Sequence, residues 1–262
     1  MSPVRFLLPI LLPAMVAVAP AADLTLTAPL EHQVVQRTSP GKGLLRIAGE
    51  LSEEVSGKDV AIETRLVGEK GATGWQRAGG SISGKKLSGT VEAPAGGWWT
   101  LEVRVTREGK ELAAGRVGKV GIGEVFIVAG QSNSANHGEE KQTPQTGLVA
   151  SFDGKTWRLA EDPQPGAAGN GGSFLPPLGD ELARKLGVPI GFVSCGIGGT
   201  SVREWLPKGA TFPNPPTIES RVEKRPDGLW MSKGDAYQTF LARMKPLGPR
   251  GCSGPCHQPD AG

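Results

Sequence analysis

A short apolar run that ends in three polar residues constrains the fold of this chain most. Val125–Ala129 is wholly apolar, and Gly130 breaks the run before Gln131, Ser132 and Asn133. The run is too short and too rich in β-branched residues for a helix, so it predicts a buried strand of a parallel sheet. In open α/β sheets, ligands bind beyond the carboxyl ends of the strands. Ser132 therefore stands where a functional residue is expected.

Two interpretations of Ser132 are open on this motif alone. In the first, Ser132 is a nucleophile: Gly130 permits a sharp exit from the strand, and the amides of Gln131 and Asn133 orient a polar substrate. In the second, Ser132 lies in an ordinary strand-to-helix turn and caps the helix that follows. The motif by itself does not separate a catalytic serine from a capping serine.

A second strand–glycine element lies about sixty residues further along the chain. Val188–Ser194 predicts another short buried strand, and residues 196–201 then read Gly-Ile-Gly-Gly-Thr-Ser. Acyl transfer requires backbone N–H groups that point at a developing oxyanion, and a glycine turn after a neighbouring strand can expose such donors. The pair of elements therefore favours the nucleophile.

Two other nucleophile or cofactor motifs are excluded by single residues. The elbow of α/β-hydrolases requires Gly-x-Ser-x-Gly, but Ser134 occupies the last position. The dinucleotide fingerprint requires Gly-x-Gly-x-x-Gly, but Ser201 stands in place of the third glycine. Nicotinamide chemistry is therefore not expected.

The two elements, with Trp205 just beyond the second, resemble the sialate O-acetylesterase-like branch of the SGNH (GDSL-like) hydrolases. The resemblance covers Val120–Trp205 well and Asp235 onward poorly. It implies a three-layer α/β/α domain, a serine nucleophile and the removal of acetyl groups from carbohydrate hydroxyls, with an acetylated carbohydrate as substrate. It implies no metal and no organic cofactor.

The resemblance also assigns roles to residues of this chain. Ser132 corresponds to the nucleophile, and its own N–H and that of Gly199 correspond to the oxyanion donors, with Gly198 as the second choice. Substrate contacts are expected from Gln131, Asn133 and Thr200.

The catalytic base is missing from the expected place. The family carries a late Asp-x-x-His and a block close to Trp-His-Gln-Gly-Glu-Ser-Asp, and this chain has neither; its nearest match is His257-Gln258-Pro259-Asp260. The other histidines are His32 and His137. From Gly248 onward the composition turns to Gly, Pro and Cys, which suggests truncation, a disrupted frame or a diverged tail. A serine without a base is a weak nucleophile.

The functional expectation is therefore a carbohydrate O-acetylesterase-like serine hydrolase that acts through an acyl-serine and is poorly active or inactive as given. The alternative is a non-catalytic, exported carbohydrate-binding protein with a degenerate hydrolase fold.

Two domains are expected after an export signal. Residues 22–119 alternate like half-buried strands and predict a small β-sandwich. A glycine-spaced linker is expected at Gly118–Gly123. Residues 120–262 predict an α/β domain of the three-layer type, incomplete at its C-terminal end, with helices at Leu178–Leu186 and Asp235–Lys245 and a short helix near Ser201–Trp205. Asn136–Phe174 predicts a long loop of the lid or substrate-binding kind.

Composition limits the partners and the compartment. A net charge of +3 without a basic cluster argues against nucleic acid. Residues 1–21 read as a signal peptide: Arg5 precedes the apolar Phe6–Ala19, and Ala19-Pro20-Ala21 fits a cleavage site. The apolar stretch is shorter than the roughly 20 residues that a spanning helix needs, so no stable membrane insertion is expected after cleavage. The protein is expected to be secreted or periplasmic.

The export signal makes a direct prediction. The mature protein should begin at Ala22 or Asp23, because the small-x-small site ends at Ala21. N-terminal sequencing of exported material checks this, and an exported chain that still carries Arg5 would contradict it.

Overall fold

The computed structural model describes residues 22–55, 57, 59–69 and 71–248. The predicted signal peptide and the tail with Cys252, Cys256 and His257 lie outside the described residues. The described chain is a mixed α/β structure in which strands dominate and helices are few. None of its described helices has the length and apolar character needed to cross a bilayer.

The first hundred described residues contain strands joined by turns, and their alternating polar and apolar residues account for this. In the strand Lys42–Leu51, buried and exposed positions alternate along most of the length. This pattern is expected for a strand with one solvent-exposed face. The strands are β1 Ala22–Ala28, β2 Val34–Ser39, β3 Lys42–Leu51, β4 Val60–Gly68, β5 Gly71–Ala72, β6 Gln76–Arg77, β7 Gly79–Ser83, β8 Lys86–Pro94, β9 Gly96–Arg107 and β10 Lys110–Val128.

These strands share one hydrophobic core. β3 pairs antiparallel with β1 and β8, whereas β9 pairs antiparallel with β4 and β10. Apolar side chains of both sets meet in a single buried cluster, among them Leu45, Ile47, Ile62, Leu101 and Val103. Burial of each such side chain stabilises the fold by roughly 1.5–3 kcal/mol.

The predicted linker is wrong, because residues 118–123 lie inside strand β10. Gly121 and Gly123 stand where Pro189 approaches: a Cβ added to Gly123 would lie 1.9 Å from the Pro189 carbonyl oxygen. These glycines permit close packing of two backbones and do not loosen the chain. The division into two domains at residue 120 stays a prediction.

The second half of β10 forms a parallel sheet. β10 pairs in parallel with β13 Ile190–Ser194, from Glu124 opposite Ile190 to Val128 opposite Ser194. Beyond β13 lie β11 Val149–Phe152, again parallel, and β12 Trp157–Leu159, antiparallel. Both strands expected from the sequence are present. β13 begins two residues later than predicted, whereas the predicted strand at Val125–Ala129 is the end of a much longer strand that begins at Lys110.

The predicted loop Asn136–Phe174 is wrong in its middle, because β11 and β12 lie within it. β11 has only four residues, and the surrounding Gly- and Pro-rich sequence conceals so short a strand. All four of its residues are buried, so β11 owes its existence to tertiary packing.

Two helices pack against this sheet. α1 Leu175–Leu186 begins earlier than predicted, because its first turn accommodates Pro176 and Pro177, and it ends at left-handed Gly187. Its Ala183 packs in a cluster with Ile190 and Phe192 of β13.

α2 Asp235–Met244 packs on the other cluster of the sheet. Its Phe240 and Met244 lie against Phe152 and Val193. Since Phe192 and Val193 are consecutive in one strand, their side chains point to opposite faces, and the two helices cover different faces. A small antiparallel sheet, unforeseen from the sequence, precedes α2: β14 Thr211–Phe212, β15 Val222–Lys224 and β16 Trp230–Ser232.

A buried carboxylate fixes α1 to the chain before β11. Asp180 accepts hydrogen bonds from the backbone N–H groups of Gln145 at 2.7 Å and Thr146 at 2.9 Å, and from the Thr146 hydroxyl at 2.5 Å. Burial raises the pKa of the Asp180 carboxyl, but these hydrogen bonds outweigh burial and bring the pKa below its ordinary value.

Replacing Asp180 with Asn should lower the free energy of unfolding by about 1–3 kcal/mol near neutral pH, because an amide nitrogen cannot accept an N–H bond. The folded-state pKa is depressed, so the contribution is complete above the ordinary carboxyl pKa and is lost as pH falls through the folded-state value. Urea unfolding should therefore show the difference between wild type and variant narrowing below about pH 4.

The control is Glu181→Gln, which alters the exposed next residue and should change stability by less than about 0.5 kcal/mol. An Asp180→Asn variant as stable as the wild type would show that the three hydrogen bonds do not hold the helix.

Candidate functional site

The turn after β10 presents Ser132 at the carboxyl edge of the parallel sheet. β10 ends at Val128, and Gly130 has φ +148°, a conformation that favours glycine. Ser132 is half-buried, and its hydroxyl donates to the side-chain oxygen of Gln131 at 3.1 Å. A 3-10 turn, Ser132–Ser134, follows.

The interpretation of Ser132 as a helix cap is wrong. The N-cap position of the 3-10 turn is Gln131, and no side chain caps it. The hydroxyl that ties the turn together belongs to Ser134, which donates to the Gln131 carbonyl at 2.8 Å. The Ser132 hydroxyl therefore does not cap a helix.

The glycine turn after β13 lies directly beside the serine turn. The Ile197 N–H donates to the Gly130 carbonyl at 2.9 Å, and the Cys195 N–H donates to the Val128 carbonyl at 2.8 Å. A Cβ on Gly196 would lie 2.0 Å from the Ser134 carbonyl oxygen, so only glycine allows this approach. The two turns leave one edge of the sheet, as their strands led us to expect.

The predicted oxyanion residue lies at the exposed tip of the glycine turn. Gly199 has φ +75°, which favours glycine. Gly198, the second choice, lies under a histidine: a Cβ there would be 2.8 Å from Nε2 of His137. The assignment of the oxyanion donor to the N–H of Gly199, with that of Gly198 as the second choice, stays a prediction.

The three predicted substrate contacts differ in their surroundings. Gln131 and Asn133 are exposed beside Ser132. Thr200 is buried; its hydroxyl donates to the Ile197 carbonyl at 2.8 Å and accepts from Nε1 of Trp205 at 2.9 Å. Because the Thr200 hydroxyl proton is used in a hydrogen bond within the turn, Thr200 stabilises the conformation of the turn.

Glu204 holds the glycine turn in place, and the sequence analysis did not single it out. Its carboxylate accepts from the N–H and hydroxyl of Ser201 at 2.7 and 2.6 Å, and from the N–H groups of Thr217 and Ile218 at 2.7 and 2.8 Å. Burial raises the pKa of this carboxyl, but the hydrogen bonds outweigh it and lower the pKa overall. The Ser-x-x-Glu spacing of a capping box was the available signal.

Asn136 holds the chain on the other side of the serine turn. It is buried, donates to the Gln164 carbonyl at 2.9 Å and accepts from the Gln164 N–H at 2.7 Å. Asp162 extends this network by accepting from the backbone N–H groups of Gln142 at 3.0 Å and Ser173 at 2.7 Å. These polar side chains replace regular secondary structure in shaping the loop.

A cavity of about 710 Å³ opens beside Ser132. His137 also lines it and is exposed, whereas His32 packs on Trp98 in the N-terminal part. Within the described residues, no histidine is hydrogen-bonded to Ser132, and no three His, Cys, Asp or Glu side chains group together as metal ligands.

Comparison with known proteins supports the predicted resemblance. Residues 122–247 match the family described as "Carbohydrate esterase, sialic acid-specific acetylesterase". This segment is similar to that family, which confirms the resemblance derived from the serine and glycine elements.

Among solved structures, the chain is similar to a novel carbohydrate acetylesterase from Xanthomonas citri, with 22% sequence identity and a TM-score of 0.36. The match covers 68% of this chain and 41% of that protein, so the chain spans less than half of its length. No curated protein matches the chain.

Replacing Glu204 with Gln should loosen the glycine turn, because an amide nitrogen would face N–H donors that the carboxylate now accepts. Unfolding free energy should fall by about 1–3 kcal/mol. Hydrogen exchange should accelerate at the backbone amides of Ser201, Thr217 and Ile218, which measures the turn directly. Glu219→Gln, an exposed neighbour of Ile218, is the matched control and should leave exchange unchanged. Unaltered exchange in the Glu204 variant would contradict the assigned role.

Proposed function

We propose that the chain is a carbohydrate O-acetylesterase-like serine hydrolase with Ser132 as its nucleophile. The observation that carries this proposal is the direct bond between the two turns, from the Ile197 N–H to the Gly130 carbonyl. This bond joins the turn of half-buried Ser132, which lines an open cavity, to the neighbouring turn with its exposed Gly199. The match of residues 122–247 to the esterase family supports the same reaction class.

The reaction would pass through an acyl-serine. The Ser132 oxygen attacks the acetyl carbonyl, the sugar hydroxyl leaves with a proton, and water then hydrolyses the acetyl-serine. The N–H groups of Ser132 and Gly199 would stabilise the oxyanion, with Gly198 as the other candidate. Gln131 and Asn133 would orient the sugar. No step of this scheme uses a metal or an organic cofactor.

Among the described residues, none is hydrogen-bonded to Ser132 as a general base. The Ser132 hydroxyl donates its proton to an amide oxygen of Gln131, which is not basic enough to remove it. His137 lines the same cavity, and His257 lies outside the described residues. A site that keeps its oxyanion donors but lacks its base retains only a small part of the full rate. We therefore propose that the chain, as given, is a poor or inactive esterase.

This bonding of Ser132 also favours a second candidate function. A non-catalytic, exported carbohydrate-binding protein would use the same cavity and would need no base. The two candidates differ in ester turnover.

The remaining proposals concern architecture and compartment. We propose that α1 and α2 on opposite faces make residues 120–262 a three-layer α/β/α domain of the SGNH type. The strands of residues 22–119 form the small β-sandwich that precedes it. The chain would be exported, to the periplasm or the medium.

Hydrolysis of p-nitrophenyl acetate tests the proposal. The full chain should show turnover several orders of magnitude below an ordinary enzymatic rate, and Ser132→Ala should abolish what turnover there is. Ser134→Ala is the matched control, since its hydroxyl bonds within the turn.

Turnover at an ordinary rate would contradict the missing base. The alanine variants of His137 and His257 would then identify the base. Background turnover that Ser132→Ala leaves unchanged would support the non-catalytic alternative.

A further inference from the structure

The cavity beside Ser132 is lined by both polar and apolar side chains. Among the lining residues are His137, Glu140, Gln142, Ser173, Phe174 and Pro177. The cavity opens to solvent and is large enough for a sugar ring next to the reacting ester.

The charge of this cavity is acidic. Among the described residues that line it there is no lysine and no arginine, and the carboxylate is that of exposed Glu140. A bound carboxylate is usually held by a guanidinium or an ammonium group. An anionic sugar would find no such partner here and would lie close to a like charge, which weakens binding.

The apolar part of the cavity lining includes an exposed aromatic ring. Phe174 is 45% exposed, although large apolar side chains are usually buried. It stands at the N-terminal end of α1, where it lines the cavity. An exposed ring beside hydrogen-bonding groups offers an apolar surface to the C–H face of a pyranose, while the polar lining residues can bond its hydroxyls.

We propose that this cavity is a subsite for a neutral pyranose unit of an acetylated carbohydrate, with Phe174 as its stacking surface and Glu140 as the group that disfavours sialic acid. This proposal names the substrate class of the proposed esterase. It rests on the proposed function in one respect, that Ser132 is the reaction centre. Gln142 and Glu140 offer hydrogen bonds to uncharged hydroxyls. The substrate class is thus neutral O-acetylated sugar, although the family's description is sialic acid-specific.

A binding experiment on the full chain with Ser132→Ala tests this, since that background keeps any ester intact. The two probes are an O-acetylated xylo-oligosaccharide, which is neutral, and O-acetylated sialyllactose, which is anionic. Calorimetry or saturation-transfer NMR gives both dissociation constants. The neutral probe should bind at least about fivefold more tightly.

Two further substitutions test the lining residues, and a third is their control. Phe174→Ala should weaken binding of the neutral probe by about tenfold. Leu178→Ala, an equally exposed residue of α1 that is not among the lining residues, should change it by less than about twofold. Glu140→Lys should strengthen binding of the sialyl probe by about fivefold or more.

Equal or tighter binding of the sialyl probe, or a Phe174→Ala variant that binds like wild type, would overturn the proposal. So would a failure of both probes to bind. These outcomes are separate from those of the esterase assay: Ser132-dependent hydrolysis of p-nitrophenyl acetate without oligosaccharide binding would leave the serine chemistry standing and remove only the subsite.

Discussion

The parallel pairing of β10 with β13 is the interaction on which the rest of the site depends. Its register sets Val128 opposite Ser194, so both strands end together and their turns leave the sheet side by side. A slip of one residue would exchange the faces of every side chain in the strand. It would also move Gly196 away from the Ser134 carbonyl, where the absence of a Cβ lets the two turns approach.

β10 also joins the site to the N-terminal strands. The same strand pairs antiparallel with β9 through Val120 and Ile122 and then enters the parallel sheet at Glu124. At this crossing Arg37 of β2 forms a 2.6 Å ion pair with Glu124. The half-buried setting makes this pair stronger than an exposed one, although its net contribution is limited by desolvation. The N-terminal strands therefore contribute directly to the placement of the strand that carries Ser132.

Buried and half-buried polar side chains fix the conformation of the loops around the turns. Asn136, Asp162, Asp180 and Glu204 each accept backbone N–H groups of segments that belong to no strand or helix. Because a buried N–H without a partner is costly, each such side chain selects one conformation of its loop. The open cavity can thus keep a defined shape although loops form most of its wall.

The local sequence was sufficient for the elements with strong patterns. Short-range composition predicts the strands that end at Val128 and Ser194, the helix bounded by Gly187 and the helix that begins at Asp235. It also predicts the similarity to the esterase family. Burial and glycine conformation leave a signal in consecutive residues. The serine and glycine turns were recognised for the same reason.

Tertiary structure alone decided what depends on distant partners. The four residues of β11 form a strand only because β13 and β12 pair with them. Residues 118–123 continue β10, which pairs with β9 there, and Pro189 packs closely against Gly121 and Gly123. The convergence of His137, Glu140 and Phe174 on one cavity is likewise invisible in the sequence. A pattern of consecutive residues records which faces are buried, whereas the identity of the group that buries them is a property of the fold.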